Sequence, residues 1–432
     1  MSLRCTKFKL FLLLLLASCP SVGATCTGSS PNWTSTIDQS SVNTCISNAS
    51  SGDTITVSAG SASWASQTQV PNTKGLSILC AGATVNTCTL SGHGFDVEQN
   101  ASRGTRISGF TFTKSFAPGD STNQVNAAIP SYSASLPGDA PARFDHNFFM
   151  DPTTNGVYLN VGGNGVVLFD HNSVEGCTAC EPIHNLGVGS SGWTDDVFPG
   201  SAYQFYLEDN TFCSGTLSAG VCIPGGGGIS AIQSYYGART VFRHNTMDMA
   251  YVDQHGTCGN VYARWWEVYN NSYFILPDGA SLPDYAQLRG GSGVIFNNTL
   301  TGTNLSTSAD IILTEGTSFN GCGSIVPESV GGGREPSGAR VLSPAYVWGN
   351  AAAIPVDFDG GVTLNRDYYL STNKPSSLLR CESAADAAAG CPVSYNYVPF
   401  TYPYPLTANG LPNPASVTAV NPPTNLQVAS VK

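Results

Sequence analysis

Six times along the chain a strand-like run ends in one short word: an apolar residue, two further residues and an Asn. The copies are Phe144-Asp145-His146-Asn147, Phe169-Asp170-His171-Asn172, Leu207-Glu208-Asp209-Asn210, Phe242-Arg243-His244-Asn245, Val268-Tyr269-Asn270-Asn271 and Ile295-Phe296-Asn297-Asn298. The Asn positions advance by 25, 38, 35, 26 and 27 residues, one period with two longer insertions. A fixed period of this size is the signature of a solenoid.

Aligning the copies exposes columns. Phe144, Phe169, Leu207, Phe242, Val268 and Ile295 form one, and Phe149, Val174, Phe212, Met247, Tyr273 and Leu300 form another five residues on. Both are apolar, as core stacks require. The Asn column between them marks a tight bend, where a side-chain amide bonds to its own rung and to the Asn above. Short strands without helical periodicity predict an all-β chain, a right-handed parallel β-helix. Abundant Gly, with only 11% charged residues, suits a chain that turns every few residues.

The ends read differently. Arg4, Lys7 and Lys9 precede the apolar run Leu10–Ala17, too short to span a bilayer but patterned as a secretory signal over residues 1–24. Leu16-Ala17-Ser18-Cys19 also resembles a bacterial lipobox, which would lipidate Cys19; plain secretion and surface or periplasmic anchoring both stay open. An N-terminal cap is expected over 25–52, with a short helix at Ser40–Asn48, the solenoid over 53–375 and a cap over 376–408. The Tyr- and Pro-rich segment from Tyr395 is expected to close the open end of the coil, and 409–432 reads as a linker and tail. No membrane span is expected, and the chain is expected to be a monomer.

Twelve cysteines follow the leader, an even number in an exported chain, which predicts a disulfide framework. Closeness in sequence suggests Cys26–Cys45, Cys80–Cys88, Cys177–Cys180, Cys213–Cys222 and Cys381–Cys391, leaving Cys258 for Cys322. The net charge is −11, and after the leader the only lysines are Lys74, Lys114, Lys374 and Lys432, so no nucleic-acid partner is expected.

The stretch Asp53–Gly60, the rung Ile107-Ser-Gly-Phe-Thr-Phe112 and the Asn rungs resemble the right-handed parallel β-helix proteins of the pectate-lyase-like superfamily, over roughly residues 50 to 375. The resemblance implies the fold and a polysaccharide partner, but it does not assign an activity, because this superfamily holds lyases, hydrolases, tail proteins and adhesins. Gly92-His93-Gly94 lies too early for a polygalacturonase motif, Arg-Ile-Lys is absent, and a Lys base has almost no candidates.

Candidate chemistry lies outside the repeated columns. His146, His171 and His244 share a position with Asp209, Asn270 and Asn297, so rung geometry explains them. His255 escapes that column, and strand alternation puts it on one face with Asp253, a carboxylate beside an imidazole. Arg264 and Arg289 stand one period apart on the following rungs and suit a sugar carboxylate, as does Arg239 a period earlier. Structural readings compete with each: a hydrogen-bonded strand end for His255, neutralised acids such as Glu267 for the arginines. Asp195 and Asp196 could hold Ca²⁺ or act in hydrolysis, or simply solvate a loop. His184, Trp193, Tyr235, Tyr236, Trp265, Trp266 and Tyr285 are candidates for substrate contact.

The function expected is polysaccharide cleavage by β-elimination on an acidic glycan, with His255 or an arginine as base and Arg264, Arg289 or Ca²⁺ stabilising the enolate. The alternatives are a glycoside hydrolase using Asp253 and Asp196, and a non-catalytic glycan-binding or adhesive solenoid.

Overall fold

The computed structural model describes residues 25–406 except 83–86, 100–103, 114–124, 129–140, 151–156, 164, 177–181, 188–192, 219–220, 224–228, 256–261, 276–284, 303–310, 315–326, 335–339, 352–355 and 360. The leader, the tail beyond 406, Cys177, Cys180, Cys258 and Cys322 therefore lie outside the described residues.

Three long sheets wrap one core: sheet A with 13 strands, sheet B with 9 and sheet C with 10. Strands of one sheet come from successive turns and pair in parallel, so the chain is a parallel β-helix. The columns read from the sequence are real neighbours. Phe144 pairs with Phe169, Phe169 with Leu207, Leu207 with Phe242, Phe242 with Val268 and Val268 with Ile295. Each is at most 1% exposed. Burial of such side chains is worth about 1.5–3 kcal/mol apiece, and it recurs at every turn.

The Asn column turns the corner from sheet A to sheet B. Each Asn Oδ1 accepts both the backbone N–H and the side-chain amide of the preceding Asn, from Asn147 to Asn172 and onward through Asn298 to Asn350. Each Asn Nδ2 also donates to a strand carbonyl, such as Asn245 to Leu207 at 2.9 Å. The residue before each Asn is left-handed: His146, His171, Asp209, His244, Asn270 and Asn297 have φ between 55° and 58°. That conformation favours Asn, Asp and His over other non-glycine residues, which accounts for the recurring histidines.

At the N-terminal end, helix α1 (Gln39–Asn48) is capped by Asp38, whose carboxylate accepts from the Ser41 N–H, and the Cys26–Cys45 disulfide ties it to the first strand. Cys80–Cys88, Cys213–Cys222 and Cys381–Cys391 are also formed.

The segment from Tyr395 lies across the outside of sheet A rather than over the end of the coil. Tyr397, Phe400, Tyr404 and Leu406 cover an outward aromatic row that includes the parallel stack Tyr269–Phe296–Trp348, with ring centroids 4.6 and 4.5 Å apart. The sheet supplies the polar partners this segment needs. Arg243 donates to the carbonyls of Phe400 and Thr401, and the Tyr397 hydroxyl donates to buried Glu267 at 2.5 Å. Apolar side chains pointing outward from sheet A require such a cover.

Candidate functional site

Sheet C carries the candidate site on its outer face. Alternation along its strands sends Val252 and Gln254 inward and Asp253 outward, and Asp253 pairs in register with Gln233 on one side and Gln287 on the other. Gln233 in turn pairs with His184. Two residues further along each strand, Tyr235, His255 and Arg289 form a second column at the corner leading to sheet A.

These two columns interlock. The His255 ring lies 4.5 Å from that of Tyr235, and His184 meets Tyr235 edge-on at 5.5 Å. His255 Nδ1 is 3.3 Å from Asp253 Oδ2, and Arg289 Nη2 donates to the same oxygen at 3.3 Å and to Gln287 Oε1 at 2.9 Å. Asp253 is 1% exposed, whereas the His255 and Arg289 side chains keep 20% and 11% of their surface. The carboxylate thus sits beneath an imidazole and a guanidinium that reach solvent. With Nδ1–H turned to Asp253, the other imidazole nitrogen carries the lone pair.

Local sequence explains the corner. Arg289 is followed by Gly290 and Gly291, where the next strand turns back against the previous rung. A Cβ on Gly290 would stand 2.4 Å from the Tyr262 ring, and Gly291 has φ +71°. Only glycine permits that approach, and the Arg289 N–H is held by the Gln254 carbonyl at 3.1 Å.

Arg264 does not join this cluster. It is fully buried, its Nη1 ion-paired with Glu382 Oε2 at 2.6 Å and its guanidinium 5.2 Å from the Trp193 ring. Arg239 is buried too, 3.7 Å from Asp195, and burial pulls its guanidinium down to about 10 despite that carboxylate. Asp196 accepts from the Ala384 N–H of helix α2 (Ala384–Ala389) and faces Arg334 at 3.6 Å. The aspartates expected to form a calcium or hydrolytic pair therefore serve as counter-ions and a helix contact. Among the described residues, no group of three or more His, Cys, Asp or Glu side chains is arranged to hold a metal ion. Trp193, Trp265, Trp266 and Tyr285 are closed off from any ligand, each at most 1% exposed.

These corrections share one cause. Arg239 and Arg264 fall at the start of sheet A, where the insertion carrying Trp193 and the segment around Glu382 fold over them, and periodicity cannot reveal what an insertion covers. Gln233 and Gln287, absent from the sequence candidates, join the site through sheet register alone. The spacing from Asp253 was a usable signal only for Gln287, in the Gln287-Leu-Arg289 repeat of Asp253-Gln-His255.

No protein-family model matches the chain, and no curated protein matches it. Among solved structures it is similar to the PL6-family alginate lyase AlyGC, at 13% identity and a TM-score of 0.40 over 86% of this chain and 58% of that one. It is also similar to a mannuronic-acid-specific family 6 lyase from human gut microbiota, at 12% identity and a TM-score of 0.38 over 80% and 92% of the two chains. A third is a PL6-family lyase from Pseudopedobacter saltans, at 14% identity and a TM-score of 0.36 over 65% of each chain. The chain spans less than two thirds of the length of the first and third of these. Likeness at this level says nothing of activity, and the fold rests on the chain's own strand pairing.

Proposed function

We propose that the chain is a polysaccharide lyase that cleaves next to a uronic acid residue on the outer face of sheet C. The observation that carries this reading is the Asp253–His255 pair beside Arg289, on consecutive rungs of the outer face of sheet C, with the imidazole and guanidinium reaching solvent. A carboxylate behind an imidazole orients it and supports its positive charge once it takes a proton. His255 removes the proton α to the sugar carboxylate, and Arg289, which presents its guanidinium beside it, stabilises the enolate that forms. Collapse of the enolate makes the C4–C5 double bond and breaks the C4–O bond; Tyr235, packed on the imidazole, is assigned the proton that the leaving oxygen takes.

Hydrolysis is the weaker reading, because it needs two carboxylates across the scissile bond. Asp253 has an imidazole and an arginine as its side-chain contacts, and Asp196 is engaged with Arg334 and helix α2. The four disulfides among the described residues fit an oxidising compartment, in keeping with an exported enzyme.

The test is incubation with a panel of uronate-containing polysaccharides, following the ultraviolet absorbance of unsaturated ends alongside a reducing-end assay. Unsaturated ends that disappear in His255→Ala support the lyase. Reducing ends without unsaturation would favour hydrolysis, and tight glycan binding without either product would favour a binding solenoid.

A further inference from the structure

The outer face of sheet C is uneven in charge, and its unevenness bears on what polymer can lie along it. The column that holds Asp253 runs, from the N-terminal rungs, through Gln69, Asp96, Asn126, Asn160, His184 and Gln233. Glu98 stands beside Asp96, and both are half-buried; burial, and then Glu98, push the Asp96 carboxyl above its ordinary range. Toward the C-terminal rungs the column runs through Gln287 and Ile312 to exposed Asp357. Among the described outward positions of this face, Arg289 is the one arginine or lysine, against four carboxylates spread along the rungs at Asp96, Glu98, Asp253 and Asp357.

A second, independent observation concerns unmatched acceptors. Asp253 Oδ1, Gln233 Oε1 and Asn160 Oδ1 are buried and have no protein hydrogen-bond partner. Gln233 and Asp253 are themselves 5% and 1% exposed and occupy neighbouring rungs, about 4.8 Å apart. Buried acceptors call for donors. Sugar hydroxyls supply donors, whereas an ionised carboxylate or sulfate set against the same acceptor supplies only further acceptors.

We infer that this face takes a sparsely charged acidic polysaccharide, in which one uronate lies at Arg289 and the flanking sugars are neutral. The inference rests on the lyase reading above and narrows its substrate. A polyuronate would place a carboxylate on rung after rung where the face offers acceptors or negative charge. Asp96 and Glu98 are five rungs from Asp253, about 24 Å, beyond the roughly 8 Å screening length at physiological salt. They therefore act on the sugar that reaches them and leave the reacting residue unaffected.

The experiment uses the full chain with deacylated gellan and glucuronoxylan, where glucuronate is set among neutral sugars, and with polygalacturonate and polymannuronate. Binding to His255→Ala is read by affinity electrophoresis, and cleavage by wild type from unsaturated ends. We expect binding to at least one mixed polymer to exceed that to both polyuronates by tenfold or more. Asp96→Asn combined with Glu98→Gln should raise polyuronate binding several-fold relative to the mixed polymers. Added salt should strengthen whatever polyuronate binding exists, because the force to be screened is repulsive. Polyuronates bound as tightly as the best mixed polymer, or unaltered relative binding in the double variant, would overturn the inference while leaving the lyase reading standing. Mixed polymers bound selectively but never yielding unsaturated ends would remove the lyase reading and keep the binding preference.

Discussion

The Oδ1 of Asn271 accepts two hydrogen bonds from Asn245, one from its backbone N–H at 2.9 Å and one from its side-chain amide at 3.2 Å. Asn245 repeats the arrangement toward Asn210, so each amide completes the rung before it and is completed by the rung after. Asn245→Ala leaves the buried Asn210 N–H and the Leu207 carbonyl without these partners. A loss of about 1–3 kcal/mol in unfolding free energy is expected. Chemical denaturation of the two proteins measures it, and an unchanged midpoint would mean the ladder adds nothing to stability.

The two arginines one period apart should behave in opposite ways. Arg289→Ala and His255→Ala should each lower turnover at least a hundredfold, as loss of a charge stabiliser or general base does, with a small change in melting temperature. Arg264→Met should instead cost about 3 kcal/mol or more in stability, since Glu382 would stay buried without its partner. Steady-state kinetics on the identified substrate, with a melting curve for each variant, separates the roles.

Glu382 predicts a pH dependence. Burial pushes its carboxyl from the ordinary 4.5 up to about 7, against the pull of Arg264 and of the Ser343 hydroxyl. The folded chain therefore holds this proton more tightly than the unfolded chain. Across that window the unfolded state ionises first, so this group's contribution falls as pH rises and levels off above about 7. The melting temperature of wild type should drop more steeply over this range than that of Glu382→Gln. Parallel slopes would count against the assignment.

Non-reducing peptide mapping should recover Cys26–Cys45, Cys80–Cys88, Cys213–Cys222 and Cys381–Cys391 as linked pairs. Cys26 and Cys45 are 19 residues apart and fix helix α1 to the first strand, so Cys45→Ser should cost about 2–4 kcal/mol. A free thiol at any of the eight positions in secreted protein would contradict the framework.

The amino-acid sequence alone determined the coil and its phase. An apolar column, a left-handed polar residue and an Asn recur at a nearly constant interval, and in a solenoid residues one period apart become neighbours. The same logic aligned Asp253 with His255 on one face, because alternation along a strand is a local property. What surrounds each residue was decided only by tertiary structure. Arg264 and Arg289 look alike in sequence, but the insertion bearing Trp193 and the distant Glu382 close over the first, while the Gly290–Gly291 corner leaves the second open beside Asp253. The segment from Tyr395 could equally have closed the end of the coil. It lies along sheet A because Tyr269, Phe296 and Trp348 stack outward there, and because Arg243 and Glu267, more than a hundred residues away in sequence, supply the hydrogen bonds that a buried backbone and a buried phenol require. Periodicity carries information about contacts between neighbouring turns; it carries none about insertions and arms that cross several turns at once.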